Sequence, residues 1–363
     1  TPEYRAVLDE VVEVADREAV DLVVHSGDLF DRAIPAPEAL SLGLDALVRL
    51  AAGGRRPAVV VAGNHDSPKL FEALAPVLAP LGVHLVGDLR APAAGGVVEV
   101  ETASGTALVS AVPWVSPGRV VDFMGDAGEA FGTLADTMRA IVGAHADHVV
   151  GSGSVTVLAA HFMVGGVTVR TGRGPTGMKE LTLGEAFAVT KAAVNHDFSY
   201  VALGHIHAPQ RVPGAPSGEY AGSLLQLDFG EAGETKRVVL VDAEPGRPAS
   251  VTSVPLVAGR PLVRASGSWE ALSVRADLDD AWLDLVVETD GPPIPAQVDE
   301  WRERFPLAVK LAAEFETEDI EAGHVVAGRR LDELYADYHA SVHGEIDDAL
   351  AELVRDVADE AER

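Results

Sequence analysis

Four apolar segments of this chain have the length of a buried β-strand, and a predicted helix separates the first segment from the second. They are residues 21–25, 58–62, 154–160 and 198–203. Short apolar runs that end in Gly and polar residues are typical of buried strands. Strands that alternate with helices build an α/β sheet. The chain is therefore predicted to have an α/β fold.

Each of these strands is followed by side chains that commonly bind metal ions. They are Asp28 after the first strand, Asn64 and His65 after the second, His161 after the third, and His205 and His207 after the fourth. Ligand sites in open α/β sheets form outside the carboxyl ends of the strands, so these residues are expected to meet in space. Alternate residues of an extended segment point the same way, which lets His205 and His207 converge.

Composition restricts the chemistry of such a site. The 363 residues include no Cys, which excludes disulfides, thiolate zinc sites and cysteine nucleophiles. Any metal must bind to nitrogen and oxygen ligands. The formal net charge of −28 argues against a uniformly basic nucleic-acid binder, so a polyanionic substrate needs a local basic path or metal ions. No apolar run has the length of a membrane span.

Further elements are predicted around the four strands. Helices are expected at residues 2–19, 37–52, 69–78 and 129–144. A short strand is expected at 83–85, a hairpin at 97–102 and 107–112, and a strand at 251–255. Short segments around Gln210, Tyr220 and residues 237–241 read as antiparallel strands that close a second sheet.

Pro and Gly residues recur at positions 245–259, which indicates a boundary between two structural units. The prediction is a large domain over residues 1–258, a small α/β module over 259–330 and a C-terminal segment over 331–363. Apolar residues three or four apart make the last segment a single amphipathic helix, which is strongly acidic. Its apolar stripe either packs on its own domain or docks on a partner, and the pattern leaves both open.

The strand-end residues fall into ordered motifs. These are Gly27-Asp28-Leu29-Phe30-Asp31, Gly63-Asn64-His65-Asp66, His161 and Gly204-His205-Ile206-His207. The set resembles the calcineurin-like metallophosphoesterases, whose motifs run Asp-x-His, Gly-Asp-x-x-Asp, Gly-Asn-His-Asp/Glu, His and Gly-His-x-His. The resemblance implies a four-layer α/β/β/α sandwich with a small α/β capping domain. The module after Gly259 and the closing helix resemble the bacterial double-strand-break repair nucleases of this family.

The resemblance also implies residue roles. Asp28 would bridge two metal ions, Asn64, His161 and His205 would complete one site, and His207 would serve the other. His65 would be the catalytic residue, as proton donor to the leaving oxygen. Asp31 and Asp66 would orient the loops without binding metal. Mixed nitrogen and oxygen ligation suits manganese, with iron or zinc as alternatives.

One motif of the family is not in this sequence. Its Asp-x-His motif lies on a strand before the helix that begins here at Thr1-Pro2. We therefore expect residues upstream of Thr1 to complete the second metal site.

The resemblance implies a cytoplasmic, nucleoid-associated nuclease that acts on double-stranded DNA ends or hairpins. Its partners would be an ATPase subunit and a second copy, as a homodimer within a heterotetramer. The cations nearest the motifs in sequence are Arg170, Arg173, Lys179, Lys69, Arg55 and Arg56. The glycine-rich stretch that holds Arg170 and Arg173 reads equally as a solvated loop or as a phosphate-backbone contact.

Two other functions fit the sequence. One is a general phosphoesterase for small phosphodiesters or phosphoproteins, which has no need of a module that steers duplex ends. The other is a non-catalytic DNA-end-binding scaffold that has lost its first motif. An Asp-x-His upstream of Thr1 would exclude the scaffold.

Overall fold

The computed structural model describes residues 2–115, 134–169, 189–194, 196–315, 331–344 and 346–361. The helices are α1 (Pro2–Arg17), α2 (Pro37–Leu50), α3 (Pro68–Leu78), α4 (Leu134–Val149), α5 (Trp269–Ser273), α6 (Pro295–Arg304), α7 (Leu331–His343) and α8 (Asp348–Ala361). The strands are β1 (Val23–His25), β2 (Ala58–Val61), β3 (Val83–Val86), β4 (Val97–Thr102), β5 (Gly105–Val112), β6 (Val155–His161), β7 (Tyr200–Gly204), β8 (Gln210–Arg211), β9 (Gly218–Tyr220), β10 (Arg237–Asp242), β11 (Ser250–Pro255), β12 (Leu262–Ser268), β13 (Trp282–Glu288) and β14 (Ala308–Glu314). The predicted mixed α/β fold is confirmed.

A parallel sheet carries the first two strand-end motifs. Its order is β1-β2-β3, and α2 and α3 connect its strands. Strand β2 is buried throughout, and Val60 packs against Leu47 of α2 and Phe71 of α3. Strands buried on both faces read as continuous apolar runs, which is why the sequence predicts β2 so closely. The parallel arrangement places residues 26–28 and 63–66 at the same edge.

A six-stranded mixed sheet carries the other two motifs. Its order is β4-β5-β6-β7-β9-β8, in which the four central strands β5, β6, β7 and β9 are parallel to one another and the edge strands β4 and β8 are antiparallel to them. The hairpin of β4 and β5 is confirmed. The expectation for the last strands was partly wrong, because β9 pairs in parallel with β7, and β10 pairs with β11 in a separate two-stranded sheet.

Alternating side chains of β6 belong to two different cores. Val157 and Ala159 share a core with Val59 and Val61 of the parallel sheet. Leu158 and Ala160 share the other core with Ile141 of α4. Successive side chains of a strand point to opposite faces, so β6 is buried on both sides. The two sheets therefore face each other, and α4 covers the outer face of the six-stranded one.

The module after Gly259 has its own sheet and core. Strands β12, β13 and β14 are all parallel, and Leu283, Leu285 and Val287 of β13 pack with Trp301 and Phe305. The short helix α5 was not predicted, because five residues offer too little periodicity for an assignment.

Helix α1 is attached to this module and to the segment that precedes it. The Glu10 carboxylate accepts hydrogen bonds from the backbone N–H groups of Val257 and Ala258. Glu3 accepts from the guanidinium of Arg260 and from the indole N–H of Trp282. The first helix therefore ties the module to the parallel sheet through polar contacts.

The prediction of one helix over residues 331–363 was wrong. Helix α7 ends before Gly344, whose φ of +86° is left-handed, and α8 begins at Asp348. The Asp347 side chain accepts from the N–H of Leu350, as a helix cap does. Glycine commonly ends a helix in this conformation, although the apolar spacing continues across the break. None of the helices in the described part of the chain is long and apolar enough to cross a bilayer.

Candidate metal centre

Two glycines let the strand-end loops approach closely. A Cβ atom on Gly63 would lie 2.1 Å from Asp28 Oδ1, and one on Gly204 would lie 2.0 Å from the Ser26 carbonyl oxygen. Asp28 and His205 themselves have positive φ values of 57° and 85°. Residues other than glycine rarely adopt this backbone conformation, and such strained residues cluster at functional sites. The loops from three strands therefore meet at backbone contact distance.

Asp66 joins the first two motifs. Its carboxylate accepts hydrogen bonds from the N–H groups of Leu29, Phe30 and Gly63 at 2.9 to 3.1 Å. The side chain is buried, so these three bonds satisfy a charge that would be costly to leave unpaired. The Asp66 carboxylate therefore connects the loop after β1 to the loop after β2.

His161 faces the oxygen atoms of two other predicted site residues. Its Nδ1 lies 2.8 Å from the Ser26 carbonyl oxygen, to which it donates. In a neutral ring, Nε2 then carries a lone pair, and it lies 3.0 Å from Asn64 Oδ1 and 3.3 Å from Asp28 Oδ2. Three acceptor atoms thus face one another. A second proton on the ring, rotation of the Asn64 amide so that its NH₂ group faces the ring, or a cation between the atoms would relieve this repulsion.

The donor atoms have the spacing that a divalent cation needs. His205 Nδ1 lies 3.0 Å from the same Asn64 oxygen that faces His161. Two ligand atoms at right angles around an ion, with bonds of about 2.1 Å, are about 3 Å apart. Within the described residues, no group of three His, Asp or Glu side chains is arranged for a metal ion, and the contacts above all include either the Asn64 amide oxygen or the Asp28 carboxylate. We call Asp28, Asn64, His161 and His205 the ligand cluster.

Electrostatics keep two cluster residues able to bind a cation. Burial, with a smaller contribution from His161, lowers the pKa of His205 to about 4, so its ring is neutral at pH 7. Burial acts to raise the pKa of the Asp28 carboxyl, but the His161 ring, in the form that carries a proton on Nε2, and the N–H of His65 hold it below its ordinary value. At neutral pH a carboxylate and an uncharged imidazole therefore face the centre.

Trp114 is a site residue that the sequence analysis missed. Its ring stacks on His205, with centroids 5.3 Å apart and planes at 26°, and its edge meets His161 at 6.1 Å. Its backbone N–H donates to the carbonyl of Ala62, at the end of β2. The residue lies in a loop after β5, and only the pairing of the two sheets brings it here. A lone Trp after a strand carries no sequence signal for such a contact.

His207 is held by a buried polar network that was also missed. The network consists of His207, Ser223, Glu231 and Lys236, and we call it the Glu231 network. His207 Nδ1 lies 2.9 Å from Glu231 Oε1, and Lys236 Nζ lies 2.8 Å from Glu231 Oε2. Although burial opposes it, hydrogen bonds from His207, Lys236 and the Leu227 N–H lower the pKa of Glu231 to about 2.

Other predicted residues are not brought into these contacts. Asp31 is exposed and pairs with Arg32, and Lys69 is exposed near the start of α3. Arg56 is buried and donates to Asp16 and to the Leu50 carbonyl, so its guanidinium supports the fold and is unsuited to a phosphate contact. Arg170, Arg173 and Lys179 lie outside the described residues. His65 is exposed beside Asp28.

Comparison with known proteins gives consistent matches. The family model described as calcineurin-like phosphoesterase matches residues 2–209. The chain is 30% identical to the SbcD subunit of the nuclease SbcCD from Bacillus subtilis over 348 residues, which cover 92% of this chain and 87% of that protein. It is 29% identical to the protein of the same name from Rhodobacter capsulatus, covering 80% and 73%, and 26% identical to that of Escherichia coli K12, covering 79% and 73%. Both resemblances are confirmed: the one that the motifs carry, to the calcineurin-like family, and the one that the module and the closing segment carry, to its bacterial repair nucleases.

We predict that Asp66→Ala destabilises the protein strongly, whereas Asp31→Ala changes its stability little. The first substitution leaves three backbone N–H groups without their charged acceptor, at a cost of about 3 kcal/mol in the free energy of unfolding. Asp31 is exposed and pairs only across the surface with Arg32. Denaturant unfolding in a metal chelator measures both. Equal effects for the two variants would contradict the structural role of Asp66.

Proposed function

The chain belongs to the calcineurin-like phosphoesterase family and is therefore a hydrolase, and we propose that it is the nuclease subunit of an SbcCD-like complex. It would hydrolyse phosphodiester bonds at DNA ends or hairpins in a reaction that depends on two divalent metal ions. Manganese is the metal that we propose first, with iron or zinc as alternatives. The observation that carries the proposal is the convergence of acceptor atoms in the ligand cluster.

Each cluster residue has a proposed task. Asp28 would bridge the two ions, because a carboxylate has two oxygens to share and an imidazole ring offers one lone pair. Asn64, His161 and His205 would complete one site, and His207 would serve the other. The neutral amide of Asn64 limits the negative charge beside an anionic phosphodiester. When bound, the ions would polarise the phosphate and make water a stronger nucleophile.

His65 is the proposed catalytic acid. Its backbone N–H is fixed by Asp28 Oδ1 at 2.9 Å, and its side chain is exposed next to the ligand cluster. This position lets the ring reach substrate without being a metal ligand. The ring would donate a proton to the leaving oxygen or stabilise its negative charge.

We also propose the family's finer architecture. The facing sheets, with α2 and α3 on one side and α4 on the other, support an α/β/β/α sandwich over residues 1–258. Residues 259–330 would be a capping and DNA-binding domain, since residues 262–314 form a separate parallel sheet with its own core. Lys69 and the stretch with Arg170, Arg173 and Lys179 remain candidates for phosphate contacts.

The partner would be an SbcC-like ATPase. The relatives are named as one subunit of a complex, and the paired helices α7 and α8 expose apolar residues such as Leu353 and Val357. We propose that this acidic helix pair docks on the ATPase, that the nuclease subunits form a dimer within a heterotetramer, and that the complex acts at the nucleoid in the cytoplasm.

A general phosphoesterase is the second candidate. The ligand cluster does not distinguish a small phosphodiester from DNA, because both present the same phosphate to the metal ions. The separate module after Gly259 and the names of the relatives favour DNA.

We expect Asp28→Ala to abolish manganese-dependent degradation of linear duplex DNA and hydrolysis of a chromogenic phosphodiester. The substitution removes the carboxylate that would bridge the two ions. Glu99→Ala, an exposed carboxylate on the edge strand β4, is the matched control and should keep both activities. Full activity of the Asp28 variant would exclude the proposed metal centre. Hydrolysis of the small ester alone by the unaltered full-length protein would favour the second candidate.

His65→Ala is expected to keep bound manganese but to lose turnover on duplex DNA. The reason is that the proposed role of the ring is proton donation, whereas the backbone contact to Asp28 survives the substitution. Metal content and DNA degradation are measured on the same samples. His148→Ala, an exposed histidine of α4, serves as control. Loss of metal in the His65 variant would instead make His65 a ligand.

The pair of substitutions Leu353→Glu and Val357→Glu should weaken assembly with the ATPase subunit and spare hydrolysis of the chromogenic ester. These residues are 60% and 54% exposed, four positions apart on α8, so charges there oppose docking without entering a core. Association is measured by analytical ultracentrifugation with the purified ATPase. Glu352→Ala is the control, and unchanged association of the double variant would rule out α8 as the docking surface.

A further inference from the structure

The Glu231 network holds both ends of one residue, His207. At the ring end, His207 Nδ1 contacts Glu231 Oε1 at 2.9 Å. At the backbone end, the His207 carbonyl accepts from Lys236 Nζ at 3.1 Å and from the N–H of Ser223 at 3.2 Å. Lys236 and Glu231 bind each other at 2.8 Å. The ring and the carbonyl of His207 are therefore linked to one buried ion pair.

The carboxylate of Glu231 has little freedom to turn. Its second oxygen, Oε2, is contacted by Lys236 Nζ, by the N–H of Leu227 at 3.1 Å and by the Ser223 hydroxyl at 3.3 Å. The side chain is only 4% exposed, and it lies on a short turn, Phe229–Glu231. A group with this many fixed partners sets the orientation of whatever it binds in turn.

The ring of His207 is partly exposed, in contrast to its buried partner. Its side chain is 49% exposed. Because Nδ1 is bonded to Glu231, the proton of a neutral ring lies on Nδ1, and Nε2 carries the lone pair on the opposite edge of the ring. The network therefore presents Nε2, outside the buried contacts, as the atom available to a metal ion.

We infer that Glu231 is a positioning residue for metal binding, which acts by holding the ring of His207 with Nε2 toward the metal centre. The inference rests on the proposed function, since it takes His207 as a ligand. A carboxylate that accepts from the second nitrogen of a ligating histidine fixes the ring and makes it a stronger base. Burying an ion pair costs desolvation energy, so the Glu231–Lys236 pair need not stabilise the fold. Its contact with His207 gives the pair another role, which is to position that ring.

The test is a double-mutant cycle in the full-length protein, read as Mn²⁺ affinity by the electron paramagnetic resonance signal of the free ion. Glu231→Ala should weaken Mn²⁺ binding about 10-fold to 100-fold, the usual effect of removing such a partner. In a His207→Ala background the same substitution should cause no further loss, because the ring through which it acts is gone. Equal losses in both backgrounds would overturn the inference, as would unchanged affinity of Glu231→Ala.

Glu219→Ala is the matched control for loss of a buried acid. Glu219 is also buried and pairs with Arg237 at 2.8 Å, between β9 and β10. This variant should lower the thermal unfolding temperature but keep Mn²⁺ affinity. If it weakens Mn²⁺ binding as much as Glu231→Ala does, general loosening explains both results and the inference fails.

A second variant covers the case in which Glu231→Ala does not fold. If Glu231→Ala does not fold, Glu231→Asp replaces it in the cycle, since it keeps the charge but withdraws the carboxylate from His207 by one methylene; the same outcomes then decide. Failure of this inference is distinguishable from failure of the proposed function. If the unaltered protein degrades DNA with Mn²⁺, the Asp28→Ala variant does not, and the Glu231→Ala variant binds Mn²⁺ with normal affinity, then the proposed function stands. Only the positioning role of Glu231 is then excluded.

Discussion

The meeting of acceptor atoms around Asn64 is the contact on which the rest of the site depends. His161 Nε2 faces two oxygens at 3.0 and 3.3 Å, and its Nδ1 is already committed to the Ser26 carbonyl. With Asn64 presenting its oxygen, the arrangement is favourable when a proton or a cation lies between these atoms, and the fold holds the atoms in place. It does so with backbone contact at Gly63 and Gly204, and with the buried Asp66 that ties two loops together. Backbone strain at Asp28 and His205 persists under the same constraint.

The two facing sheets supply the rigidity that this arrangement needs. Strand β6 is buried on both faces, with Val157 in one core and Leu158 in the other, and it ends in His161. A strand packed on both sides cannot shift by a residue without exchanging its two apolar faces. The position of His161 is therefore fixed by packing along the whole strand. The loops can then hold polar groups at distances that isolated peptides would not keep.

Sequence reasoning succeeded where a signal was local. The strand ends at Asp28, Asn64, His161 and His205 follow from short apolar runs and the rule for parallel sheets, and the structure brings these four together. It failed where the relevant partner is distant in the chain. Glu231 follows His207 by 24 residues and reaches it only after β8 and β9 have turned back. The prediction of a single C-terminal helix failed for a different reason. The apolar spacing continues across Gly344, whereas the helical backbone ends there.

The sequence by itself determined the strand ends, the order of the motifs and the exclusion of thiolate ligands. These are properties of residue type and of the two-residue period of a strand, which need no knowledge of neighbours. Tertiary structure alone decided that Trp114 stacks on His205, that Arg56 faces Asp16 and that Glu231 binds the ring of His207. Each of these contacts joins segments whose distance is set by how sheets and loops pack. No local pattern carries that information, because the energy that fixes the contact comes from burial of the surrounding core.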